Sequence, residues 1–475
     1  MFKQKLLVSA MLSTVMLSAC NDSILDDTQL SPIDSISTMG AELPYSILRS
    51  DLIDFNTQLP FEIRNGGYGS SMAGHPTEAN QFYAMTDRGP NATYTGSLGK
   101  GKMFPTPDYT PTIGLFEIDE NGQISLIEKI TLKRPDGSLI TGLPNSAELG
   151  GTGEIPYDAS GNPIVEIAGQ PYDADTNPLK LDDYGLDSEG LVALADGTFW
   201  VSDEYGPHIV HFDAEGKEIG RINAFTDDTR VQNTTGINLP AEFANRWANR
   251  GMEGLTITPD GTTLVGMMQS TLYNPSKAAV QNYTLTRIVT VNLQTKEIGQ
   301  YLYQQEIAKN ANSEIAALND HQFLVIERDG NFLNGGPDGG EAVPTAMKKV
   351  YRIDLNGATN LETMTLAANM TQDADIGLTI DGKALEEIAD WNELTNAGII
   401  PVSKTEVVDM VAEVQYPHDK MEGLWIIDDN TLGIINDDDF ATWAKDNQLE
   451  QKVLDSAQTI DRNTLYIVKT PLTEN

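Results

Sequence analysis

The chain has 475 residues, with 31 Lys and Arg against 69 Asp and Glu, and a formal net charge of −38. That balance excludes nucleic acid as a partner, because phosphate binding needs a basic surface, and it repels anionic membrane surfaces. At 40% hydrophobic and 21% charged residues the chain is a folded one, and cations, or anions brought in by cations or local arginines, are its favoured ligands.

In chain order, the first stretch is MFKQKLLVSAMLSTVMLSAC. Lys3 and Lys5 precede an apolar run from Leu6 to Leu17 that is shorter than the roughly 20 residues of a spanning helix. Leu17-Ser18-Ala19-Cys20 follows. This resembles a bacterial lipoprotein signal, which implies a signal peptide over 1–19, a lipid on Cys20 and a membrane association through that lipid alone. Asn21 in place of an aspartate favours the outer membrane of a Gram-negative cell envelope. Cys20 is the only cysteine, so no internal disulfide is expected. Residues 20–43, poor in aromatics and carrying Asp22, Asp26, Asp27 and Asp34, read as an acidic tether, with the folded domain over 44–475 as a monomer.

Within the domain one pattern recurs. Ser188-Glu189-Gly190-Leu191, Met252-Glu253-Gly254-Leu255, Ser313-Glu314-Ile315-Ala316 and Met421-Glu422-Gly423-Leu424 each open a strand, turn, strand unit. The turns are Asp196-Gly197, Asp260-Gly261, Asn319-Asp320 and Asp429-Asn430. The second strands end in Asp203-Glu204, Gln269-Ser270, Glu327-Arg328-Asp329 and Asp437-Asp438-Asp439. A fifth, degenerate unit has Ser71 to Ala73 first, then Phe82 to Met85 and Asp87-Arg88-Gly89-Pro90. Further strands are expected over 112–118, 209–212, 286–293, 349–355 and 464–468.

Repeated four-strand units that bury their faces against one another predict an all-β chain, a β-propeller with helical and loop insertions. A chain of β-sandwich domains is the alternative. Five hairpins are legible and five to seven blades are allowed, because the gaps 87–203 and 327–437 hold either insertions or degenerate blades. Helices are expected over 240–249 and 383–394, and the glycine-rich 330–340 as a loop over the channel mouth.

In a propeller the innermost strands start at that mouth, so Glu189, Glu253, Glu314 and Glu422 are expected as a ring there, with Asp87, Asp203, Glu204, Glu327, Asp329 and Asp437 just outside. An oxygen-only set of this kind suits Ca²⁺. The competing expectation is that each glutamate fastens neighbouring blades by accepting backbone N–H bonds. Arg88 and Arg328 follow acids at equivalent places and are expected to hold an anion or to pair with Asp87, Glu327 or Asp329. Asp173, Asp175 and Asn177 start like a calcium loop but lack its glycine and its closing glutamate. No Gly-x-Ser-x-Gly elbow and no phosphate-cradling glycine loop occur.

Asp87-Arg88-Gly89-Pro90, Asp187-Ser188-Glu189-Gly190-Leu191, Trp200 to Pro207 (WVSDEYGP), Asn249 to Leu255 (NRGMEGL) and Lys420 to Gly423 resemble the phytase-like family, known for an esterase-like activity of phytase. The resemblance runs from about residue 66 to 470. It implies a propeller hydrolase acting on a small phosphate ester or another ester, with Ca²⁺ as cofactor by analogy with propeller phytases. Glu189, Glu204, Arg88 and Arg328 are then expected in catalysis. Asp87, Glu189, Asp203, Glu253, Glu314, Glu327, Glu422 and Asp437 are expected around the metal. A non-catalytic surface propeller that binds a protein, glycan or cation is the alternative function.

Overall fold

The computed structural model describes residues 31–230 and 236–473. The expected signal peptide and Cys20 lie outside the described residues.

Five four-stranded antiparallel sheets form the body among the described residues. The first holds Ser71–Gly74, Gln81–Met85, Thr112–Ile118 and Ile124–Thr131. The second holds Ser188–Ala193, Phe199–Asp203, His208–Phe212 and Glu218–Asn223. The third holds Met252–Ile257, Thr263–Met268, Leu285–Asn292 and Ile298–Gln304. The fourth holds Ala311–Ala317, Gln322–Arg328, Lys348–Asp354 and Ser403–Asp409. In the fifth, Gly423–Asp428, Thr431–Ile435 and Thr464–Lys469 are completed by Ala41–Glu42 from the other end of the chain.

Each innermost strand packs against the next, and the fifth against the first, which closes the ring. The reason is written in the strands. FWVSD and HIVHF are buried on both faces, so they need apolar cover on both sides, and neighbouring sheets supply it. Each of the five sheet-to-sheet interfaces accordingly holds its own apolar cluster. Phe199 and Val210 face Met85 and Ile113, for example, while Trp200 and Ile209 on the other side meet Leu255 and Val289. The architecture is all-β and propeller-like.

Both long gaps carry insertions. Ala92–Gly96, Gly99–Met103 and Ile155–Tyr157 form a three-stranded flap. The ribbon of Ser46–Ile53 with Pro60–Asn65 and the hairpin of Thr442–Lys445 with Gln448–Gln451 pack beside it through Phe61, Ile63, Met103, Phe440 and Leu449. The second gap is filled between the third and fourth strands of the fourth sheet, where Met370–Asp373 and Gly377–Ile380 pack under Leu285 and Leu302 of the third sheet.

Two helices are shorter than the sequence predicts. Only Ala241–Asn245 is helical in the first, as a 3-10 turn. In the second, Lys383–Ala384 pairs as strand, Leu385–Glu387 is a 3-10 turn, and the α-helix is Trp391–Asn396, capped by the Asp390 carboxylate accepting from the Asn392 N–H. The described part of the expected tether is docked. Ile33 and Leu43 are buried in the cluster between the fifth and first sheets.

Candidate functional site

The site grows out of one irregularity at the start of the inner strands. In the second sheet Ser188 pairs with Asp203 and Gly190 with Ser202, so Glu189 is the extra residue of a β-bulge. In the third sheet Met252 pairs with Met268 and Gly254 with Met267, and Glu253 is the extra residue. In the fourth Asn312 pairs with Glu327 and Glu314 with Ile326, so the extra residue is Ser313. Register therefore aligns Ser313, not Glu314, with Glu189 and Glu253. The Glu-Gly repeat is displaced by one position in this unit.

Displacement by one reverses the direction of a strand side chain, and the structure separates the predicted acids accordingly. Asp87, Arg88, Glu189, Glu204, Glu253, Arg328 and Glu422 line one cavity of about 520 Å³ at the mouth, together with Asp187, Lys102, Arg250, Asp419, Lys420 and Asp439. Gly330 of the predicted loop is on its wall, and so is Trp443 of the hairpin insertion.

Glu314 is placed elsewhere. It occupies the position of Gly190 and Gly254, inside the channel, where its Oε1 accepts from the Leu255 and Ile315 N–H groups and its Oε2 from the Ser71 hydroxyl. It lines the cavity of about 590 Å³ at the opposite end, among Leu191, Leu255 and Trp425. Asp203 and Glu327 are also turned away from the mouth. The Asp203 carboxylate accepts from the Asp187 N–H at 2.8 Å and the Gly206 N–H at 2.9 Å. Glu327 accepts from the Tyr303 hydroxyl, the Lys404 ammonium and the Glu306 N–H. Asp437 stands behind the wall and holds the Lys420 ammonium at 2.6 Å.

The arginines pair across sheets rather than with their chain neighbours. Arg88 Nη1 lies 3.2 Å from Asp187 Oδ2 and donates to Glu154 Oε2 at 3.2 Å. Arg328 donates from Nε to Ser313 Oγ at 2.9 Å and from Nη2 to Glu422. Lys420 lies within 2.8 Å of both Asp437 and Asp439.

Even so, acid is in excess. Buried oxygens of Glu204 (Oε1), Glu253 (Oε2) and Glu422 (Oε2) have no hydrogen-bond partner among the described residues. Burial, then the charges of Asp187, Glu204, Glu422 and Glu253, hold the Glu189 carboxyl well above the usual carboxylate range. Glu204 is raised by burial, Glu253 and Asp187, and Asp87 by burial, Asp437 and Asp187. Glu422 is pushed up to about 8 by burial against the opposing pull of Lys420 and Arg328, and Asp203 to about 6 by burial. A cluster of this kind keeps protons at neutral pH or takes a cation instead.

The geometry fits a cation. Asp87, Asp187 and Glu189 each offer a carboxylate oxygen, all within 4.8 Å of one another. Two oxygens bound to one calcium ion at about 2.4 Å can stand at most about 4.8 Å apart, and each pair of the three meets that limit.

Sequence reasoning left several members of this cavity without a role. Asp187 was visible as an acid before the strand but belongs to no repeat position. Lys102 and Asn249 come from insertions, which have no repeat to align, and so does Glu154, which stands behind the lining and bonds to Arg88 and Asn249. Asp173 accepts from the Asp175 and Thr176 N–H groups in an exposed turn away from the mouth, and His208 is fully buried beside Asn145.

Comparison with known proteins places these features in a family. The family model described as Phytase-like, esterase-like activity of phytase, matches residues 63–440. A relative from Arthroderma benhamiae, named only as an uncharacterized secreted protein, is 27% identical over 391 residues, covering 72% of this chain and 71% of its own. Solved structures with similarity include a protein from Lactobacillus plantarum (10% identity, 88% of this chain and 93% of that one, TM-score 0.31). They also include an α-L-arabinofuranosidase from Clostridium thermocellum (8% identity, 85% and 95%, TM-score 0.33).

Proposed function

This chain belongs to the Phytase-like family, and from that membership we propose that it is a calcium-dependent hydrolase of phosphoric esters working at the mouth cavity. The observation that carries the reading is the meeting of the Asp87, Asp187 and Glu189 oxygens within 4.8 Å in a cavity whose other acids have unpartnered buried oxygens. The reading takes the five closed sheets as five blades, with the bulges of two inner strands, at Glu189 and Glu253, delivering acids to the mouth.

Calcium, when bound, would polarise phosphoryl oxygens and make a nearby water more acidic. The chain's residues supply the rest. Asp87, Asp187 and Glu189 would hold the ion, and Arg88 orients Asp187 through its 3.2 Å ion pair. Glu204, whose Oε1 is unpartnered and whose carboxyl is raised, takes the proton of the attacking water. Arg328 and Lys420 keep Glu422 from adding to the repulsion of an incoming anion. Without a cation the excess acid of the cavity opposes any phosphate, so metal dependence follows.

The cell-envelope placement rests on Leu17-Ser18-Ala19-Cys20. Incorporation of labelled palmitate in a bacterial host, abolished by Cys20→Ser, checks it.

The activity is tested with the chain from Ser31 onward on aryl phosphate, aryl acetate and phytate, with calcium and with chelator. Phosphate release that chelator abolishes and Glu189→Gln or Glu204→Gln lowers at least a hundredfold is the expected result. No turnover under any condition, beside a calcium-dependent rise in melting temperature, refutes the hydrolase and leaves a binding module.

A further inference from the structure

The two ends of the channel differ in chemistry. The mouth is walled largely by charged groups, whereas the cavity of about 590 Å³ at the other end takes apolar side chains from the inner strand of every sheet. Ala73, Ala193, Ile257, Ala317 and Ile427 supply one position each, and all five are only half-buried. A cavity walled by all five inner strands lies on the axis of the ring. Glu314, its buried acid, is already bonded to Leu255, Ile315 and Ser71, and Asp428 is exposed at the edge.

The N-terminal part of the chain runs to this cavity. Ala41–Glu42 lies on the outer edge of the fifth sheet, against Thr464–Lys469. Further back, Ile33 is buried beside Trp425, which belongs to the innermost strand Gly423–Asp428. Ser31 lines the axial cavity itself. Followed backwards, the chain has crossed one end of the ring from rim to axis. Consecutive Cα atoms stand about 3.8 Å apart, so the segment before Ser31 starts at the cavity. Its first residue is Leu30, and Leu25 and Ile24 come six and seven positions before Ser31, within about 25 Å along even a fully extended chain. These three are the apolar members of Asn21 to Leu30 (NDSILDDTQL).

We propose that Ile24, Leu25 and Leu30 dock in the axial cavity, so that the segment before Ser31 plugs the channel at the end away from the mouth. Their side chains leave water for the half-buried apolar wall, while Asp22, Asp26 and Asp27 stay in solvent, because an unpaired carboxylate gains nothing from that wall and is repelled by Asp428. The docking is independent of the hydrolase reading. For the envelope placement it has a geometric consequence. A lipid on Cys20, four residues before Ile24, is held at the end of the ring opposite the mouth, and the mouth then faces away from the membrane.

Thiol-labelling rates test the plug, since Cys20 is the only cysteine. Ala193→Cys reports on the axial cavity, and Ala444→Cys, on the wall of the mouth cavity, is the control. Each is made in the chain from residue 20 carrying Cys20→Ser and in the chain from Ser31, and is treated with a small maleimide. The axial cysteine is expected to react at least tenfold more slowly in the longer chain, with the mouth cysteine equal in the two. Ile24→Asp, Leu25→Asp and Leu30→Asp together restore the fast rate, and an unchanged rate at the mouth cysteine shows that the ring is intact. Asp26→Ser with Asp27→Ser leaves the protection in place. Equal rates at the axial cysteine in the two chains, or protection that survives the triple substitution, overturn the proposal. Protection that grows with protein concentration gives the cavity to a second copy, and protection that appears only with added phosphatidylcholine vesicles gives it to a lipid surface. Either of these results overturns it as well.

Discussion

Two glutamates at nominally equivalent places in the repeat, Glu189 and Glu314, have opposite surroundings. Glu189 is aimed into the mouth cavity, whereas Glu314 accepts from Leu255, Ile315 and Ser71 and thereby ties the third and fourth sheets to the first. Glu314→Gln is expected to lower the melting temperature, by about 1–3 kcal/mol of stability from one weakened buried acceptor, while leaving the calcium-induced shift in place. Glu189→Gln should do the opposite, abolishing the shift with little loss of stability in chelator. Thermal melts with and without calcium read both. The buried acids at the cavity and behind it also set a pH dependence. Glu422 at about 8 and Asp203 at about 6 lie above their unfolded values, so the folded state binds more protons and gains stability that is complete at acid pH. That stability is lost as pH rises through about 6 and then about 8. In chelator the melting temperature should therefore fall from pH 5 to 8.5. Because protons compete with the metal, the rise produced by calcium should be larger at pH 8 than at pH 5. A flat profile in chelator would count against the cluster. How far these residues could be read in advance follows from the same comparison. The repeat located the acids, but a one-residue displacement decides which way each points, and Ser313-Glu314-Ile315 carries no glycine to mark it.

At the scale of the element, the inner strand and its bulge explain why Glu is followed by Gly in three of the units. A Cβ on Gly190 would meet Ser202 Oγ at 2.3 Å and the Glu253 carbonyl oxygen at 2.7 Å, so the adjacent inner strand approaches the bare backbone. Gly190→Ala is expected to cost about 1–3 kcal/mol through this overpacking and, by pushing the second and third sheets apart, to weaken calcium binding. Denaturant melts and a calcium titration would show both, and an unchanged midpoint would mean that the strands yield at no cost. Strands such as Thr112–Ile118 and Thr464–Lys469 were legible almost to the residue, since apolar alternation and runs are set locally. The two helices were not. Pro240 and Gly251 bracket a stretch with helical composition, but Phe243 is buried between sheets and the chain leaves the helix after Asn245 to reach the mouth. Tertiary contacts override a local preference worth a few tenths of a kcal/mol per residue. The flap, with Lys102, could not be assigned for a related reason, because its strand Gly99–Met103 is two lysines among three glycine and methionine positions with no repeat partner.

For the whole molecule, the question is how the ring closes. The fifth sheet has three strands from the C-terminal part of the chain, and its outermost strand, Thr464–Lys469, is covered by Ala41–Glu42. The Leu43 N–H donates to the Asn463 carbonyl at 2.9 Å, and Ile33 is buried with Phe82, Trp425 and Leu465 between the fifth and first sheets. Composition alone made residues 31–43 look like tether, since they are short and polar, and their few apolar members gain meaning only from the cluster they enter. The functional consequence is that the two sheets joined here are the ones that bring Asp87 and Glu422 to the mouth. A chain starting at Tyr45 lacks the covering strand and the burial of Ile33 and Leu43, each worth roughly 1.5–3 kcal/mol. It also exposes an edge strand that invites self-association. Compared with a chain starting at Ser31, it should melt lower, associate at micromolar concentration, and bind calcium more weakly because Asp87 loses its fixed place beside the fifth sheet. Scanning calorimetry and light scattering on the two chains test the closure. Equal melting temperatures would show that the ring holds without its N-terminal strand, and that residues 31–43 only lie on it.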